Sequence, residues 1–353
     1  MTLPNPLHGK TLAVLGYGSQ GRAHALNLRD SGAEVRLGLR PDGASWKQAC
    51  ADGWRPMSMA EATEGADMVC FLMPDTAQPA AFRDHVEPNL AEGATLMFAH
   101  GFNIHYGTIA PAAGHPIILI APKGPGALVR REFERGRGVP CLTAVHADPR
   151  GDAAAHARAY ADAIGGGRAG ILETNFAEET ETDLFGEQAV LCGGATELVV
   201  AGFETLVEAG YQPEVAYYEC LHELKLIVDL LQEGGLARMH RFISDTAKFG
   251  DLSRGKRVID EGARARMKEI LAEIQDGRFA REWLAEDASG RPRYDALLRA
   301  DLEHPIEAVG ARLRASMPWL EEGEAAAPAP AADKGAAEAP RETRAPIEEP
   351  VAR

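Results

Sequence analysis

Two pairs of acidic side chains are spaced for shared work. Asp183 and Glu187 lie four residues apart, and so do Glu219 and Glu223. On a helix that spacing puts both carboxylates of a pair on one face, where like charges repel mildly without a counter-ion. Apolar runs follow each pair, Ala189-Val190-Leu191 after the first and Leu226-Ile227-Val228 after the second. Carboxylates beside a buried stripe need a partner. Mg²⁺ is the natural one, because it takes a few carboxylates together with water and substrate oxygens. A solvated helix face is the competing reading of either pair. Glu178, Glu179 and Glu181 read as that solvated case.

A second chemistry stands near the N-terminus. Gly16-Tyr17-Gly18-Ser19-Gln20-Gly21 follows an apolar run and precedes a helical pattern. In this GxGxxG spacing Gly16 permits a tight turn, Gly18 lets backbone approach a pyrophosphate, and Gly21 lets helix and strand pack closely. The amides at the helix N-terminus then face phosphates. The acid that usually meets an NAD ribose about twenty residues on is absent, and Arg40 and Ser45 stand there instead. Both suit a 2′-phosphate and favour NADPH. Asp42 in the same loop would repel that phosphate, so NADH stays open, and Arg40 also reads as a solvated loop charge.

The elements that must hold these residues differ between the two halves. Strand-like runs at 11–15, 35–39, 68–72, 95–99, 117–121, 140–145 and 169–172 alternate with helical patterns at 22–29 and 153–164. Such alternation predicts an α/β domain over 1–176, with a parallel sheet covered on both faces. Over 177–320 the spacing is helical throughout: 184–190, 196–209, 215–233, 254–275 and 296–316. That half reads as all-α, with Pro318 stopping the last helix. From 321 to 353 the chain is mostly Ala, Pro and Glu, which predicts a disordered tail.

Composition narrows the partners. A net charge of −15 argues against nucleic acid and against an anionic membrane surface. No run of about 18 apolar residues is apparent, and the start lacks a signal peptide's pattern. Five dispersed cysteines, without a C-x-x-C pair, read as free thiols in a reducing cytoplasm.

Taken in order, the glycine hexamer, Phe98-Ala99-His100-Gly101-Phe102-Asn103-Ile104-His105, Ala121-Pro122-Lys123-Gly124-Pro125-Gly126, the run from Glu179 to Gly194, and the run from Cys220 to Leu230 closely resemble ketol-acid reductoisomerase. The likeness spans residues 10–320 and the length resembles the short, class I form. It implies a Rossmann domain followed by a knotted helical domain, in a homodimer or an assembly of dimers with shared active sites. It implies two Mg²⁺, held by Asp183 and Glu187 of one chain with Glu219 and Glu223 of the other. His100 and Lys123 match the reaction centre, Glu223 also a proton relay, and Ser244 a substrate contact. Tyr17, Gly18, Ser19, Gln20, Arg40, Ser45, Asp75, Thr76, Ala77, Gln78 and Gly126 match cofactor contacts. The implied reaction is alkyl migration in an acetohydroxy acid, 2-acetolactate or 2-aceto-2-hydroxybutyrate, then reduction by NADPH, in branched-chain amino-acid synthesis. Bland readings stand beside these: His100 as a structural histidine, Lys123 as a loop lysine, Ser244 as a helix cap.

Three positions depart from the family's pattern. Ala127 and Arg22 stand where histidine is usual, and Gly43 replaces a serine of the phosphate loop. The stretch before Lys10 is shorter than expected. Two alternatives to the active enzyme are a paralogue with an altered substrate and a non-catalytic NADP-binding protein.

Overall fold

A computed structural model describes residues 6–317. The tail expected over 321–353, and the stop at Pro318, lie outside the described residues.

Strands β1 (Thr11–Leu15), β2 (Glu34–Gly38), β3 (Met68–Phe71), β4 (Thr95–Phe98), β5 (Ile117–Pro122), β6 (Cys141–Ala147) and β7 (Ile171–Glu173) form one sheet in the order β2-β1-β3-β4-β5-β6-β7. β1, β3, β4 and β5 are buried along their whole length. Their near-continuous apolar runs are what a sheet covered on both faces requires. One core on each face does the covering, with Leu12, Val14, Met97 and Tyr160 in one and Leu15, Phe71, Phe98 and Leu119 in the other. The all-parallel expectation fails at one place: β6 runs antiparallel to β5. Periodicity reports burial and not direction, so the sequence carried no sign of this reversal.

The strand order reverses beside β1, with β2 on one side and β3 on the other. In open α/β sheets ligands bind beyond the carboxyl ends of the strands at such a switch. Helix α1 (Ser19–Asp30) leaves that crevice directly after the glycine turn, and α2 (Ala44–Ala51) follows the loop after β2.

Beyond β7 the described chain is helical. Asn175 caps the Phe176–Gly186 helix by accepting from the Glu178 amide at 2.9 Å. A wide π turn at Glu187–Leu191 joins it to the Gly193–Glu208 helix. A second π turn at Tyr218–His222 joins Pro213–Tyr217 to Glu223–Phe242. The single helices expected over 254–275 and 296–316 are each two. Asp260 caps a new helix, Glu261–Gln275, after Asp245–Val258 ends. Pro305 opens Pro305–Arg314 after Pro292–Leu302; proline fits a first turn and breaks an interior. A further helix, Arg278–Ala288, had no counterpart in the sequence reading.

The two halves meet through side chains. Phe102, from the loop after β4, is buried in a cluster with Leu184, Ile274 and Ala280. Tyr106 donates to the Ile274 carbonyl at 2.9 Å, and His105 pairs with Glu181 at 3.3 Å. Glu181 is thus an inter-half contact, not a solvated charge. Much of the helical half is left apolar and exposed, including Leu236, Phe242, Phe249 and Leu252. The continuous 33-residue rod Phe176–Glu208 holds a window of mean hydropathy 1.5. By length and composition alone it is apolar enough to cross a membrane, as core helices of water-soluble proteins also are.

Candidate active site

The loops after β1, β3, β4 and β5 converge with the first helix of the helical half around a cleft of ≈ 810 Å³. Its walls include Gly18, Ser19, Gln20, Asp75, Gln78, His100, Lys123, Glu179, Asp183 and Glu187. Each comes from a strand end or helix turn held by the core behind it.

The glycine turn is tight because its neighbours are close. Gly16 has φ +100°, and a Cβ there would stand 2.6 Å from the Leu72 carbonyl oxygen. Gly126 presses on the same turn from the β5 loop, where a Cβ would meet the Ser19 carbonyl oxygen at 2.1 Å. The Gln20 side-chain amide donates to the Gly124 carbonyl at 2.9 Å, which ties the glycine loop to the Lys123 loop. Gln78 donates to the Met73 carbonyl and to Asp75, at 3.0 and 3.1 Å, and accepts from Asn103 at 2.9 Å. This fixes the Asp75–Ala77 turn that carries Thr76.

Lys123 is the centre of the charged group. Its Nζ donates to Glu179 and to Asp183, each at 2.9 Å. Glu179 is fully buried, and its second oxygen accepts the Gly101 amide at 3.0 Å. The imidazole of His100 lies 3.6 Å from Asp75 through Nδ1 and 3.6 Å from Asp183 through Nε2. Burial pulls His100 down, but Asp75, Glu179 and Asp183 outweigh it and carry the ring up to about 9. Burial also works against the Lys123 ammonium, and Glu179 and Asp183 again outweigh it. The Glu187 carboxyl is raised above its ordinary range by burial and then by Asp183.

This donor set fits a hard divalent cation. His100, Glu179 and Asp183 offer ligand atoms within 4.8 Å of one another, and Glu187 stands one helical turn beyond Asp183 in the same wall. Carboxylate oxygens are what Mg²⁺ takes. The glycine turn, tightened from two sides, fits a dinucleotide's pyrophosphate.

Several residues singled out by sequence stand elsewhere. Tyr17 is buried and points away from the cleft, its hydroxyl bonded to Asp52 at 2.9 Å. Arg40 is exposed in the loop after β2, and Ser45 lies in the first turn of α2. Glu219, Glu223 and Ser244 do not line the cleft of their own chain. Both acids are exposed at the second π turn, and Ser244 caps Asp245–Val258 by accepting from the Ala247 amide at 3.1 Å. Glu179, read as a solvated charge, is instead buried at the centre of the group. The signal was present: Glu179, Asp183 and Glu187 form one ladder at four-residue intervals.

Glu179→Gln keeps the side chain's size and removes the charge that shares Lys123 with Asp183. Turnover should fall about 10- to 100-fold, the range for groups that orient a reaction centre from behind. Nucleotide affinity should move little, while the melting temperature should fall, because glutamine's single oxygen cannot accept from both Lys123 and the Gly101 amide at this buried position. Steady-state kinetics with calorimetric nucleotide titration checks this; unchanged turnover would return Glu179 to a packing role.

The chain is similar to known proteins along most of its length. A family model of the acetohydroxy acid isomeroreductase NADPH-binding domain matches residues 6–170, and one of the ketol-acid reductoisomerase C-terminal domain matches 176–319. A ketol-acid reductoisomerase (NADP(+)) of Xanthomonas axonopodis pv. citri (strain 306) is 58% identical over 325 residues, 92% of this chain and 98% of its own. One of Xanthomonas campestris pv. campestris (strain B100) is 57% identical over 326 residues, with the same coverage. The solved structure of an NADH-preferring ketol-acid reductoisomerase from an uncultured archean superposes with a TM-score of 0.85 at 45% identity, over 87% of this chain and 95% of that one.

Proposed function

The chain belongs to the ketol-acid reductoisomerase family, and from that membership we propose that it converts 2-acetolactate or 2-aceto-2-hydroxybutyrate to the 2,3-dihydroxy acid, in branched-chain amino-acid synthesis. The observation that carries this reading is the meeting of Lys123, His100, Asp183 and Glu187 with the glycine turn in one cleft.

Asp183 and Glu187 would hold Mg²⁺ from this chain, and Gly16–Gly21 with Asp75–Gln78 and Gly126 would seat the NADPH. When bound, Mg²⁺ supplies Lewis-acid polarisation of adjacent substrate oxygens and NADPH the reducing equivalent. The rest belongs to the side chains. Lys123, fixed between Glu179 and Asp183, sets positive charge where substrate oxygens become negative during migration. His100 lies 3.6 Å from both Asp75 and Asp183, where it can take up a proton and hand it on. Arg40 and Ser45 would meet the 2′-phosphate.

Glu219, Glu223 and Ser244 would serve a second copy's cleft, with Glu223 relaying a proton there. A homodimer is supported by exposed apolar side chains: Leu226 and Val228 on the helix that Glu223 opens, and Leu236, Phe242, Phe249 and Leu252 beyond the kink at Gly234 and Gly235. The knotted path of the helical half is part of this reading. A net charge of −15 supports partners that are neither nucleic acid nor membrane, and a cytoplasmic setting fits five free thiols.

The test is the purified protein with 2-acetolactate, Mg²⁺ and either nucleotide. NADPH should be oxidised only when both substrate and Mg²⁺ are present, and faster than NADH. Folded protein that oxidises neither would defeat the proposal. A clear preference for NADH would overturn the roles given to Arg40 and Ser45.

A further inference from the structure

The loop that would meet the nucleotide's 2′-phosphate is tied to the glycine turn at both ends. At its start the tie is backbone: the Gly16 amide donates to the Gly38 carbonyl at 3.3 Å, the Leu39 amide to the Met57 carbonyl and the Met57 amide to the Leu37 carbonyl, the last two at 2.9 Å. At its far end the tie is made of side chains. Helix α2 begins with the loop and ends on Asp52 as its cap. The Asp52 carboxylate receives Tyr17 from the glycine turn at 2.9 Å and Arg22 from α1 at 2.7 and 3.1 Å. Gln48 donates to it at 3.2 Å, and Trp54 donates to the Tyr17 hydroxyl at 2.9 Å. Arg29 bonds the Asp52 carbonyl at 3.0 Å while lying over the Trp54 ring.

Such a cluster is costly unless it is complete. Asp52 keeps 14% of its side-chain exposure and Arg22 23%, and breaking a half-buried pair strands the remaining charge. Burial works against the Asp52 carboxylate, but its bonds from Arg22 and Tyr17 hold it below the ordinary range. The cluster also does not touch the cleft where Lys123 and Asp183 stand. It sets where α2 points from the glycine turn and α1, and hence where Arg40, Ser45 and the first amides of α2 sit relative to Gly16 and Gly18.

We propose that Arg22 and Asp52 are positioning residues for 2′-phosphate recognition: they hold α2 so that its N-terminal end and the loop before it meet the phosphate of NADPH. This rests on the reading of the cleft as a nicotinamide-nucleotide site. Arg22 supplies a bidentate hold on Asp52. NADH lacks the 2′-phosphate and gains little from the arrangement.

The experiment is calorimetric titration of the purified protein with NADPH and with NADH, for wild type, Arg22→Gln, Arg22→Lys and Asp52→Asn, alongside melting temperature and kcat at saturating NADPH. Arg22→Gln and Asp52→Asn should weaken NADPH about tenfold, within the range for residues acting through a chain of contacts. NADH should weaken less than about threefold and kcat stay within about twofold. Arg22→Lys keeps the charge but not the fork, and should fall between wild type and Arg22→Gln. Equal weakening of both nucleotides, or of neither, overturns the inference; so does recovery in Arg22→Lys of melting temperature without NADPH affinity. A wild-type chain that binds neither nucleotide overturns the cleft's reading instead.

Discussion

Asp183→Asn should abolish Mg²⁺-dependent turnover, lowering kcat roughly a thousandfold or more, while NADPH binds almost as before. Asp183 touches both Lys123 and His100, and it is the first of the two acids assigned to the cation from this chain. Asn keeps the shape and one acceptor oxygen but removes the charge. The loss is then several kcal/mol of charge stabilisation where substrate oxygens become negative. Lys123 stays anchored, because the fully buried Glu179 still accepts from it. The glycine turn stays too, since its packing on Leu72 and Gly126 does not involve Asp183. Mg²⁺ titration of kcat and calorimetry with NADPH read the two effects separately. Full turnover in the variant would remove Asp183 from the cation site.

The second large effect needs two defective chains at once. Asp183→Asn alone and Glu219→Gln alone should each be nearly inactive as homodimers. Co-expressed with different tags and purified as a mixed dimer, they should recover about half of wild-type activity per dimer. In such a pair one cleft carries both defects, and the other has wild-type Asp183 from one chain and wild-type Glu219 from its partner. The reason lies in placement: Glu219 and Glu223 are exposed and line no part of their own chain's cleft, while the apolar side chains around them lie open. Mixed dimers as inactive as either parent would mean that each cleft is completed by its own chain.

Some of this was legible in residue types and spacing. Strands β1, β3, β4 and β5 show as apolar runs because they are buried along their whole length. The glycine hexamer shows because only small residues fit where Leu72 and Gly126 press upon it. Asp183 and Glu187 show by their interval. Other features leave weaker marks. Glu179 looked like an ordinary acid in a helix's first turn, where acids are common, and only Lys123, distant in sequence, makes it central. The breaks at Asp260 and Pro305 are signalled by a cap and a proline, but the apolar rhythm runs on across both and hides them. Asp52 carries no motif at all. Its importance comes from Tyr17 and Arg22, which the fold brings to it.

The π turn at Glu187–Leu191 has a consequence for how one rod can serve two masters. A π turn amounts to one extra residue in a helix, and each residue of an α-helix advances about 100° around the axis. The rod is therefore out of phase with itself on either side of the turn. Before it, Phe176, Glu179, Thr180 and Leu184 face the sheet domain. After it, Val199 and Phe203 face Tyr217 and Ile306 of the helical half. In an uninterrupted α-helix Val199, 19 residues past Thr180, would stand about 100° around the axis from it. The slip of one residue cancels that rotation, so the side of the rod that faces the sheet domain before the turn is the side that grips Tyr217 and Ile306 beyond it.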